Sequence, residues 1–208
     1  LYFFGIGTNI TAFVLFVFYE FLQRLCPIIL NGGDNLLKFI MLYMIFINSY
    51  KYFSINKSNN STPLNNLITN LAGYSICIHL CLAYFFSAIH KIHADVWFNG
   101  IATYYTLSLE RFRGTSFNLD LAKNGFLVTI STYITILIEL SYPFLIWFKR
   151  TKLLMIISAI LLHVSIYVLM MIYDFQLVFI FVQGFFLSNR FWLNFVSNIK
   201  MLIYAKKN

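Results

Sequence analysis

His90, Lys91, His93 and Asp95 crowd together at the end of a long apolar stretch, within Tyr84-Phe-Phe-Ser-Ala-Ile-His-Lys-Ile-His-Ala-Asp-Val-Trp97. On a helix running through the motif, Lys91 and Asp95 share a face at i,i+4, as do His90 and His93 at i,i+3. Partial burial disfavours the charged form of an amine, so a lysine at such a boundary can act as a base near neutral pH. The competing reading is structural. There Lys91 extends its amine toward headgroups, Trp97 anchors the chain at a lipid–water boundary, and Asp95 caps the next helix. Residue types alone favour this second reading.

Three more polar groups stand where apolar residues would be cheaper. Glu139 lies late in an apolar run, in Ile-Leu-Ile-Glu-Leu-Ser-Tyr-Pro143. It can pair with a buried base or approach a headgroup region. His163 lies midway along another run, in Leu-Leu-His-Val-Ser. A lone histidine there is more often a helix–helix hydrogen-bond partner than a catalyst, although it can accept a proton. Asp34 closes Asn31-Gly-Gly-Asp34 at the start of a further run, where N-capping is the default role and a functional carboxylate the minority one. His79 and Tyr133 offer nothing specific. Of the three cysteines, Cys77 and Cys81 are one helical turn apart in an apolar run and read as packed thiols, not a disulfide; no zinc pattern accompanies Cys26, Cys77 and Cys81.

The elements that must position these groups follow from composition. The chain has 208 residues, of which 60% are hydrophobic and 11% charged. A soluble domain of this length could not hide so much apolar surface. Lipid solvates it instead, and the mean hydropathy of +0.76 agrees. Apolar runs occur at 1–22, 35–50, 66–89, 125–147, 153–172 and 175–188. A bilayer core needs roughly 20 apolar residues per helix, so we expect an all-α integral membrane protein with about six transmembrane helices. The polar loop around Lys51 and Lys57 separates the second and third runs. The mixed stretch 90–124 reads as an interfacial segment after the third span. The tail 189–208 alternates Phe, Trp, Leu and Ile with Asn, Lys and Arg, which reads as an amphipathic helix at the interface. The expected division is a membrane domain at 1–188 and an interfacial tail at 189–208. The chain starts at Leu1, so an earlier segment, even a further span, stays open.

The net charge of +8 would point to nucleic acid in a soluble protein. Here the basic residues lie between apolar runs, so they report topology and anionic lipid, and no nucleic-acid partner is expected. With six spans, Lys149, Arg150, Lys152, Arg190 and Lys200 share one side with Lys51 and Lys57. Both termini are therefore expected in the cytoplasm and 90–124 outside, in a multi-pass plasma-membrane protein.

The Tyr84–Trp97 stretch, followed by Asn99-Gly100 and Tyr104-Tyr105, resembles the HTTM (horizontally transferred transmembrane) domain shared with vitamin K-dependent γ-carboxylase. The Glu139-x-x-x-Pro143 pair with its following basic turn, and His163 followed by Asp174-Phe175, extend the resemblance from about residue 31 to 188. Asp95-Val-Trp-Phe-Asn-Gly, Met170-Met-Ile-Tyr-Asp-Phe and Asn31-Gly-Gly-Asp look like bacterial members of the sporulation-delaying protein B-like type, which are tied to production of a secreted peptide toxin. The resemblance implies that Lys91 takes the role of the carboxylase's lysine base, which acts on a hydroquinone; Glu139, His163, Asp34 and Asp95 are the further candidate site residues. The sequence departs from the carboxylase in two places. His90 stands where the carboxylase has a second lysine, and Gly32-Gly33-Asp34 stands where it has a histidine. The large extramembrane substrate domain is also absent, which counts against protein γ-carboxylation.

Three functions compete. One is a membrane enzyme, lyase- or carboxylase-like, with Lys91 as base on a lipid-soluble substrate such as a quinone. Another is a non-catalytic accessory for maturing or exporting a small secreted peptide precursor beside a companion maturation protein, with the ring-rich segment 97–117 as docking surface. An enzyme acting on such a precursor would satisfy both. A transporter ranks last, because the sequence has no internal repeat and only the fourth run has a proline-interrupted polar centre.

Overall fold

The structure is a computed structural model that describes residues 9–49 and 62–205. The start of the first apolar run, the loop around Lys51 and Lys57 and the last residues of the tail lie outside the described residues. Helices α1 (Asn9–Leu25) and α2 (Gly32–Met44) form an antiparallel pair, joined by a 3-10 turn at Pro27–Ile29. Their contact carries the Lys38–Glu20 ion pair at 2.7 Å. The longest element is α3 (Pro63–Ile92), 30 residues or about 45 Å. Thr62 starts it by accepting from the Asn65 amide at 3.2 Å, and Pro63 occupies the first turn, where a missing N–H costs nothing.

Short elements follow: α4 (Asp95–Phe98), α5 (Ala102–Ser108), a 3-10 turn at Glu110–Phe112 and α6 (Phe117–Lys123). Then come α7 (Gly125–Leu145), α8 (Lys152–Met170), α9 (Tyr173–Val182) with a 3-10 extension to Phe186, and α10 (Asn189–Ala205). The described residues contain no strand. Pro143 does not end α7, which runs on to Leu145.

Three helices, α3, α7 and α8, are long and apolar enough to cross a bilayer. Their outward faces are the reverse of a soluble helix. On α3, Leu64, Leu67, Leu71, Tyr74 and Ile78 recur every three or four residues and are all exposed. Phe126, Ile130, Ile134 and Leu137 do the same on α7, and Leu154, Ile157, Leu161 and Val164 on α8. Such stripes are stable only when an apolar solvent covers them.

The inward faces make one core. α3 packs chiefly on α7, while α2 sits against both α3 and α9. Ile76, Leu80, Tyr84, Tyr142, Ile146 and Ala159 are fully or almost fully buried there. Close approach of α2 to α9 depends on glycine. A Cβ on Gly33 would stand 2.6 Å from the Cα of Phe175, a backbone atom that no rotamer change can move.

Two local expectations are corrected. The N-cap of α2 is Asn31, not Asp34. Both glycines are helical, so the helix starts earlier than a glycine pair would indicate. Asn31 Oδ1 accepts from the amides of Gly33 at 2.7 Å and Asp34 at 3.2 Å, and Asp34 Oδ2 accepts from the Asn31 amide at 2.9 Å, a reciprocal capping box. Further, α3 stops at Ile92, because His93 closes it and Ala94 turns to extended geometry. Lys91 and Asp95 therefore do not share a helix. Asp95 is the first residue of α4 and provides no side-chain cap.

The segment between α3 and α7 is fastened to the long helices by polar contacts. The buried Thr132 hydroxyl lies 2.9 Å from that of Thr103, and Tyr133 donates to the Phe98 carbonyl at 2.8 Å. Asn118, fully buried, donates to the Leu169 carbonyl at 2.6 Å, and the Gly114 amide reaches the same oxygen at 3.1 Å. That oxygen is free because α8 ends two residues on, at Met171 with φ 54°, a left-handed helix terminus.

Candidate functional site

Tyr84, Ser87 and Lys91 follow at i, i+3 and i+7, so α3 presents them on one face. This face looks toward a cavity of about 580 Å³ enclosed by α3, α5, α7, α8 and α9 with the turn before α2. Its wall is mostly apolar. The size falls within the range of about 300–1,000 Å³ typical of sites for a single small molecule.

On that wall Lys91 Nζ lies 2.5 and 2.6 Å from the two carboxylate oxygens of Glu139, which α7 supplies, and 2.8 Å from the Ser87 hydroxyl. The Trp97 ring lies 5.0 Å from the amine, within cation–π range. The lysine and glutamate side chains are only 19% and 9% exposed. Opposite groups this dry are tolerated together because each is the other's counter-ion; alone, either would be costly.

A second polar group lies deeper. Tyr84 Oη is 2.7 Å from His163 Nε2, and His163 Nδ1 meets Gln176 Oε1. Gln183 Nε2 donates to Tyr84 Oη at 3.3 Å, and Tyr142 donates to Gln183 Oε1. An amide oxygen on Nδ1 requires the proton there, so Nε2 is the acceptor and Tyr84 the donor. All five residues are buried, and each finds partners within the network, which is what an apolar interior demands. The two groups adjoin along α3, where Tyr84 belongs to the deeper network and Ser87 to the Lys91 pair.

Lys91, Glu139 and His163, three of the residues singled out in the sequence, thus line one cavity. The other two do not. Asp34 is engaged in the capping box and accepts from Tyr19 at 3.1 Å, although its neighbours Asn31 and Gly32 reach the cavity wall. Asp95 is exposed on α4, outside the cavity. Tyr84, Gln176 and Gln183 are site residues to which the sequence alone assigns no role. Gln176 and Gln183 are visible there as two amides, i and i+7, on one face of an otherwise apolar run. Ser87 is identifiable only once Lys91 is placed.

The model of the HTTM domain matches residues 3–192, and the chain belongs to that family. No curated protein and no solved structure matches the chain. Family membership and the apolar outer faces of α3, α7 and α8 define a helical membrane protein.

Proposed function

We propose that the chain is a membrane enzyme that moves a proton at Lys91 on an apolar substrate held in the cavity. The carrying observation is the Lys91–Glu139 pair, two helices' ionisable groups closed on each other in a largely apolar wall. The pair has no net charge, so the cavity wall is not penalised for an isolated ion there. Passing a proton from Nζ to the Glu139 carboxylate leaves an amine lone pair to take a proton from a substrate O–H or C–H. The ammonium so formed then sits beside the anion it has created. Ser87 fixes the third direction of the amine, and Trp97 closes one side.

A hydroquinone suits this cavity in size and in its mix of apolar wall and few polar groups. Lys91 and Glu139 would hold one oxygen, and such a molecule supplies an acidic O–H. In detergent, aerobic consumption of a naphthohydroquinone probe should fall at least about 100-fold in Lys91→Ala. Lys91→Arg should not restore it, since guanidinium does not deprotonate. Equal turnover in wild type, Lys91→Ala and Lys91→Arg sinks the catalytic reading.

A second reading concerns the client. The resemblance to sporulation-delaying protein B-like proteins supports a small secreted peptide precursor, handled beside a companion maturation protein. Phe98, Tyr104, Tyr105, Leu109 and Phe117 are exposed on the segment between α3 and α7 and would form the docking surface. Retention of a neighbouring precursor on the tagged protein supports this, and loss of neither retention nor export in a Tyr104→Ser/Tyr105→Ser variant argues against it. The topology belongs to the same proposal: six spans in the plasma membrane, both termini cytoplasmic, 90–124 outside, and α10 lying along the interface after a membrane domain at 1–188. The distribution of Lys and Arg supports it.

A further inference from the structure

The charges on the cavity wall do not sum to zero. Lys91 and Glu139 cancel, which leaves Arg111. Arg111 lines the cavity yet is exposed, so it stands at the rim. It forms no ion pair among the described residues. Its guanidinium lies 6.0 Å from the ring of Phe112, another wall residue.

The rest of the wall offers little competing polarity. Thr106, Ser131, Thr135 and Ser165 all line it, but each hydroxyl donates to a carbonyl one turn back in its own helix, at 2.6–2.8 Å. Their donors are spent, and they present mainly carbon to a ligand. The chamber therefore has a largely apolar body, a neutral ion pair and the mutually bonded Tyr84–His163–Gln176 network inside, and one cation without an ion pair at its mouth.

We propose that Arg111 is an anion-binding subsite, and that the ligand is an amphiphile with one apolar body and a single carboxylate head held by this guanidinium. This rests on the reading of the cavity as a substrate site and names the substrate's class. Arginine suits this role because it is always charged and presents a planar fork to a carboxylate. The size of the chamber favours a single tail or ring system over a two-tailed lipid.

The proposal is tested on the full chain in nanodiscs of zwitterionic lipid. Displacement of a fluorescent polyene fatty acid is measured for a long-chain carboxylate, the alcohol of equal length, and a two-tailed phosphatidate. The carboxylate should bind roughly tenfold tighter than the alcohol, in keeping with one charge-assisted contact. Arg111→Gln should remove that advantage without weakening the alcohol. Arg113→Gln, an exposed neighbour off the cavity wall, should change nothing. If acid and alcohol bind alike in wild type, the subsite is overturned and the cavity stands. If neither binds, both readings fail. If phosphatidate competes as well as the carboxylate, the single-tailed ligand is overturned in favour of a membrane lipid.

Discussion

At the scale of single residues, the Lys91–Glu139 contact sets the strongest expectation. Removing one partner of a dry pair strands the other, so Glu139→Ala should lower stability in detergent by about 3 kcal/mol or more. Replacing both, as Lys91→Met/Glu139→Leu, should recover most of this, because an apolar pair needs no counter-ion. A thermal-unfolding double-mutant cycle reads the difference, and additive losses would show that the two side chains do not compensate each other. Tyr84→Phe makes a different test. It leaves His163 Nε2 without a donor in an apolar interior and should cost about 1–3 kcal/mol. Much of this chemistry is visible in the sequence. Lys91, Glu139 and His163 stand out because lipid-embedded runs seldom carry ionisable groups. Which of them meet is not visible there, since pairing across 48 and 79 residues is decided by packing, not spacing. Asp34 and Asp95 lie off the cavity wall, which residue type does not reveal: a short carboxylate near a helix start looks alike whether it caps, solvates or reacts.

Elements explain where boundaries move. Apolar runs mark the long helices among the described residues, but the glycines of α2, which precede the second run in the sequence, serve as a contact surface in the fold. Gly33→Ala would press a methyl onto the Phe175 backbone and should destabilise by about 1–3 kcal/mol through separation of α2 from α9. Gly73 is the control. Nothing lies within 4 Å of a Cβ there, so Gly73→Ala in mid-α3 should be neutral or stabilise by up to about 1 kcal/mol. Equal effects at the two sites would refute the close approach of α2 and α9. The end of α3 carries a weaker signal, because no glycine or proline marks it; His93 and Ala94 break the helix through backbone geometry that composition does not encode.

For the whole molecule, the outward stripes of α3, α7 and α8 predict that the chain stays with the membrane pellet through alkaline carbonate washing. Topology has its own assay. In intact cells, a membrane-impermeant maleimide should label a cysteine placed at Asp120 and spare one at Lys149, with the native cysteines removed. The converse would invert the arrangement, and labelling of both would undo the span between them. The Leu169 carbonyl holds Asn118 and Gly114 at once, so the rim bearing Arg111 is latched to the last turn of α8, and His163 lies on that same helix. Whatever swings the latch must unseat two donors from a single oxygen. Entry to the chamber would then be governed by the fraying of one helix end, a gate set by one side-chain and one backbone hydrogen bond to the same carbonyl.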